Sequence, residues 1–120
     1  MRLKTYRELI VWQKSMDAAK EVYSLVKRLP KEELFALSDQ MRRAVVSIPS
    51  NIAEGYGRGS DTEFARFLKI ALGSLSELET QLILCTYIGY LKEDDIKQVM
   101  NILDEIGKMT NSILCKLITE

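Results

Sequence analysis

The chain has 120 residues, 47% apolar and 28% charged, with 17 Lys and Arg offset by 17 Asp and Glu to a formal net charge of zero. That length fits one domain over residues 1–120 with a sizeable core, and the composition is globular rather than disordered. With no histidine present, His-ligated metal sites, Ser-His-Asp triads, Cys-His dyads and Glu-x-x-His di-iron bundles are excluded, and neutrality argues against coating nucleic acid by bulk charge.

The first expected helix runs from about Tyr6 to Leu29. Trp12, Met16, Ala19, Tyr23 and Val26 recur at alternating steps of four and three, which draws one apolar stripe down a helix, and Pro30 stops it. The second is expected from about Glu32 to Tyr56, with a loose first turn before Ser38 and a stripe of Leu37, Met41, Ala44, Ile48 and Ile52. Pro49 lies inside that pattern. It should bend the helix without ending it, because Ile52 and Ala53 continue the apolar face.

The third helix has the plainest punctuation. Ser60 and Glu63 form a capping-box pattern, with Asp61 adding charge that suits a helix start. Phe64, Leu68, Ala71, Leu75, Leu78, Leu82 and Cys85 then hold one heptad register, a coiled-coil-like seam. Gly89 closes it. Glu93, Asp94 and Asp95 open a fourth helix with stripe Ile96, Val99, Leu103, Ile106, Thr110, Ile113 and Leu117, in which Gly107 is a candidate for close backbone approach. Lys92 stands where serine or aspartate would cap better. Short connections between four helices predict an all-α, antiparallel, up-down-up-down four-helix bundle.

Three stretches invite a functional reading. Gly55, Gly57 and Gly59, with Arg58 among them, could present N–H groups to an anion. The Walker and dinucleotide patterns both fail there, and a helix C-cap followed by a tight turn is the plainer account. Arg42 and Arg43 flank the second stripe and could bind RNA phosphates. Alternatively one of them pairs with a glutamate inside the bundle or across a subunit interface, Glu77 lying within about one turn of Arg43 if the hairpin turns near residues 57–60. Tyr6, Arg7, Trp12, Lys14, Tyr23, Lys27 and Arg28 interleave aromatics with bases as single-strand binders do. The stripe positions of Trp12 and Tyr23 favour core packing instead.

Catalysis finds no support: Glu77 and Glu79 are two apart on a helix and point to different sides, and no nucleophile has a neighbouring base. No catalytic residue, metal or cofactor is expected. Cys85 and Cys115 have no CxxC spacing and are expected as buried thiols too far apart for an intrachain disulfide.

Charge is uneven along the chain. Residues 1–60 carry 11 Lys/Arg against 7 Asp/Glu, and residues 61–120 carry 6 against 10, so the halves are +4 and −4. Val11, Phe67, Ile70 and Ile83 fall off the four stripes, and such a second apolar face predicts an oligomer. No apolar run approaches the roughly 20 residues that span a bilayer. MRLKTYREL lacks the apolar stretch of a signal peptide, so a cytoplasmic protein is expected.

The strings LIVWQKSMDAA (9–19), LSDQMRRAVVSIPSNIAEGYGR (37–58) and EFARFLKIALGSLSELETQL (63–82) together resemble one family. These are the four-helix bundle proteins encoded within intervening sequences of bacterial 23S ribosomal RNA genes. The resemblance spans nearly the whole chain. It implies a left-handed antiparallel bundle assembled as a homopentameric ring, with no assigned enzymatic activity. It also implies kinship with the basic pentameric accessory protein of diversity-generating retroelements, which works with a reverse transcriptase and nucleic acid. Arg42, Arg43, Asn51, Glu54, Gly55 and Arg58 match the family signature. The expected function is a self-assembling scaffold or adaptor with an RNA or protein partner; the alternative is a nucleic-acid-binding module using Arg42, Arg43 and Arg58 on phosphates.

Overall fold

Thr5 begins the ordered architecture: its hydroxyl accepts the Arg7 N–H and caps a 3-10 turn over Tyr6–Glu8. Leu9 is extended, and helix α1 follows over Ile10–Val26. The computed structural model describes residues 4–118; residues 1–3, where the basic N-terminal stretch starts, and residues 119–120 lie outside the described residues. A second 3-10 turn, Lys31–Glu33, precedes α2 over Leu37–Gly57. Thus the first helix is shorter than its periodicity suggests, and the segment before Ser38 is a separate turn.

Pro49 sits buried within α2, and Ile52 beyond it is fully buried, so the helix passes through the proline. Helix α3 covers Asp61–Ile88, with the Ser60 hydroxyl accepting the Glu63 N–H at 3.2 Å. At its end Gly89 adopts φ 96°, the left-handed conformation that glycine takes without strain. Helix α4 covers Glu93–Ile118. Its cap is the half of a capping box that needs nothing from the Lys92 side chain: Asp95 Oδ2 accepts the Lys92 backbone N–H at 2.8 Å.

The molecule measures 46 × 23 × 20 Å. The 28 residues of α3, at ~1.5 Å each, run nearly its full length. Each helix packs on its neighbours in sequence, and α1 on α4, so the four close in ring order. Cross-helix contacts set the directions. Ser47 meets Ser74 and Met41 meets Cys85, so α2 and α3 are antiparallel. Lys14 meets Glu105 and Arg28 meets Asp95, so α1 and α4 are antiparallel too. The buried apolar side chains form one cluster, with Met41, Ile48, Ile52, Leu68, Leu78, Leu82, Leu103 and Ile106 at its centre.

The α3 stripe is buried throughout, as its spacing predicts. On α4 the buried side chain near the end is Leu114, with Ile113 and Leu117 only partly covered. The α1 stripe is displaced by one residue over most of its length, Val26 being buried as expected. Val11, Ser15, Ala18, Val22 and Leu25 face the core, whereas Met16 is 46% and Tyr23 44% exposed and Trp12 and Ala19 are half-buried. Both sets have heptad spacing. Ser15 disguises the true one, since its hydroxyl donates to the Val11 carbonyl at 2.7 Å and hides its polarity inside the helix. Val11 and Phe67, expected outside the core, are buried; Ile70 and Ile83 are exposed.

Candidate functional site

The displaced stripe creates a surface feature. Trp12, Met16 and Ala19 on α1 line one wall of a groove, and Val46, Pro49 and Ala53 on α2 line the other. Tyr6 closes one end, its ring meeting Trp12 edge-on at 5.3 Å between centroids. Val46 also belongs to the adjoining depression, where Tyr23 faces Asp39, Arg42 and Arg43. An apolar trough therefore runs along α1 and α2 and ends at two arginines. The proline helps form this wall, because its ring fills helix surface without a polar atom.

Arg42 and Arg43 share one carboxylate. Arg43 Nε lies 3.0 Å from Asp39 Oδ2, and Arg42 Nη2 lies 3.8 Å from Asp39 Oδ1. Arg42 also donates to the Leu34 carbonyl at 3.2 Å, fastening the turn before α2. The carboxylate partner is thus one turn back on the same helix. Glu77 instead accepts from Gln81 at 3.3 Å.

The remaining signature residues build the α2/α3 contact. Asn51 Nδ2 donates to the Ser47 carbonyl and hydroxyl at 2.8 and 2.9 Å, and the Ser47 hydroxyl is 2.7 Å from that of Ser74 on α3. Glu54 pairs with Arg58 at 2.8 Å. Arg58 and Arg66 both stand over the Phe67 ring, at 5.1 and 4.5 Å from its centroid. Arg66 holds Glu63 at 3.0 Å, and that hydrogen bond keeps the Glu63 carboxyl below its usual range. Gly55 lies buried beneath, where a side chain would meet Phe67.

The three glycines therefore have separate tasks. Gly55 admits Phe67, Gly57 is the last residue of α2, and Gly59 takes φ 85° in the turn. A helix end and a tight turn account for them. Arg58 stands 15 residues beyond Arg43 on the same helix, about 22 Å at a rise of ~1.5 Å. Of the arginines that the sequence offers to phosphates, Arg42 and Arg43 stand together and Arg58 stands apart. The groove residues Met16 and Tyr23 lay hidden in the sequence because their spacing matches a core stripe; the signal that marks them is a second apolar stripe one residue away. Val46 falls outside the stripe expected for α2.

Fold and surface together define an all-α four-helix bundle whose outer grooves, rather than an enclosed cavity, are its distinctive features. The family model for 23S rRNA-intervening sequence protein matches residues 7–112, and the chain belongs to that family. A solved structure from Bacteroides thetaiotaomicron VPI-5482, described as a protein with unknown function from the S23 ribosomal protein family, is 31% identical with a TM-score of 0.81. The match covers 88% of this chain and 98% of that one. No curated protein matches. Among the described residues no helix is long and apolar enough to cross a membrane.

Proposed function

We propose that this chain is a non-enzymatic, cytoplasmic scaffold or adaptor that self-assembles, five copies to a ring as its resemblance to the family implies. The observation that carries the reading is the amount of large apolar surface outside the core. Phe35 is 90% and Tyr87 85% exposed, and Met16, Tyr23, Val46, Ile70, Ile83 and Leu84 are each close to half-exposed. Met16 and Val46 share one groove and Ile83 and Tyr87 another, and apolar side chains grouped in this way on a surface mark sites of association. Arg42 and Arg43 at the end of the α1/α2 trough share Asp39, and Arg43 keeps most of its guanidinium exposed, which supports a recognition surface.

RNA association is the competing reading, and the carboxylates beside Arg42, Arg43 and Arg58, Asp39 and Glu54, favour a protein contact over it. Light scattering on the purified chain at micromolar concentration should give a multiple of the 13.7 kDa chain mass, five for the ring. A stable monomer overturns self-assembly. Tight RNA binding that falls steeply as salt rises would establish a phosphate reader instead.

A further inference from the structure

We propose that the α1/α2 trough receives the α3/α4 face of a second copy of this chain, head to tail, with Arg42 and Arg43 of one copy meeting Glu93 and Asp94 of the next; this rests on the self-assembly argued above. Helices in ring order place the α1/α2 and α3/α4 pairs on opposite sides of the bundle. The second side also carries a groove, in which Ile83, Tyr87 and Met100 are bordered by Glu93 and Asp94. Each side thus offers apolar side chains beside charge, and the charges are opposite. Counting Asp39 on one side and Lys97 on the other, the two linings carry net +1 and −1.

Of the two arginines, Arg42 is held by Asp39 and the Leu34 carbonyl and adds its charge at a distance, whereas Arg43 is available for an outside partner. Arg43, with its side chain 80% exposed, gives only Nε to Asp39 and keeps the rest of its guanidinium fork. Among the described residues neither Glu93 nor Asp94 is in a salt bridge, whereas the adjacent Asp95 is held by Arg28 at 3.1 Å.

The two charged ends also lie at the same height. The end where α2 begins is the end where α3 finishes and α4 starts, as the Met41–Cys85, Tyr90–Glu33 and Arg28–Asp95 contacts show. Arg43 is six residues into α2, about 9 Å at ~1.5 Å per residue, which two long side chains can bridge. Copies standing side by side in register would therefore bring the opposite charges together. A symmetric contact of trough against trough would oppose arginine to arginine if the copies stood parallel, and would leave the arginines without an acidic partner if they stood antiparallel, so the charge pattern favours the head-to-tail arrangement, which closes as a ring when its rotation allows.

The test is charge reversal and its rescue, read by light scattering with helicity checked by circular dichroism. Arg43→Glu alone, and Glu93→Lys with Asp94→Lys, should each weaken assembly by about tenfold or more. The three substitutions combined in one chain should restore most of the loss. Tyr87→Ala, which removes a side chain with little contact inside its own chain, should weaken assembly without lowering helicity. An assembling wild type indifferent to these changes, or reversals that the combination does not rescue, overturns this contact and leaves self-assembly standing. A monomeric wild type overturns both.

Discussion

A Cβ built on Gly55 would stand 2.5 Å from Phe67 Cβ and 3.3 Å from Phe64 Cδ1. The first of these is closer than carbon atoms approach, and the obstacle is the root of a side chain on α3, which cannot swing away. Gly55→Ala must push α2 and α3 apart or move Phe67 from its contacts with the two guanidiniums. Overpacking of this kind costs about 1–3 kcal/mol, partly offset by the ~1 kcal/mol that alanine gains in a helix. At Gly57 an added Cβ meets nothing within 4 Å and the backbone φ is not positive. Gly57→Ala should stabilise by about 0.4–1 kcal/mol through the unfolded chain. Thermal melts of the two variants should therefore move in opposite directions. A Gly55→Ala protein melting at or above the wild type would mean that the α2/α3 contact is looser than this geometry.

How far an element can be read from sequence depends on how many apolar stripes it carries. Helix α3 has one uninterrupted heptad seam between a serine cap and a left-handed glycine, and its ends and buried face follow from those features. Helix α1 has two stripes one residue apart, and periodicity alone does not choose between them. The choice is made by α2 and α4, whose surfaces accept the slimmer Val11, Ala18 and Val22, leave Met16 and Tyr23 outside and cover Trp12 only in part. The trough was illegible for the same reason, and within the bundle Glu77 is not the arginine partner because Asp39, one turn away on the same helix, outcompetes a glutamate on α3. The cap of α4 shows a further limit: the cap position holds lysine, yet Asp95 supplies the bond from three residues on. The Lys92 N–H, then Arg28, hold the Asp95 carboxyl below its ordinary value. A depressed carboxyl stabilises the fold above the unfolded-state value, roughly 3.9 for Asp, and that contribution is lost as pH falls through the folded-state value. Asp95→Ala should lower Tm at neutral pH, with the difference from wild type shrinking once pH drops below roughly 4. A difference that stays constant from pH 7 to pH 2 would show that Asp95 acts through packing rather than through its charge.

At the scale of the whole bundle, the two cysteines serve as markers of its opposite ends. Cys85 is fully buried near the end where α3 gives way to α4, its Sγ 3.8 Å from Met41 Sδ, and burial pushes its thiol above the ordinary range. Cys115 is exposed, contrary to the expectation from sequence that it lies buried. Its neighbours in sequence, Ser112 and Ile113, line a groove with Leu9 and Ile10 at the other end. The approach of Gly107 to Leu75 sets the register of the α3/α4 pair and places Cys85 level with about residue 97. Cys115 is 18 residues further on, ~27 Å at ~1.5 Å per residue, against the 4.4–6.8 Å between Cα atoms that a disulfide allows. Because thiolate is the reacting form and access limits its attack, the two thiols should differ sharply in rate. Under native conditions a thiol reagent should modify one site per chain rapidly, identified as Cys115 by peptide mapping. Cys85 should react only as the bundle opens, with a rate that rises with denaturant. Equal rates at the two sites would mean that the α3 seam is not closed over Cys85. An 85–115 link within one chain, found by non-reducing mass spectrometry, would place α4 in a different direction or register against α3.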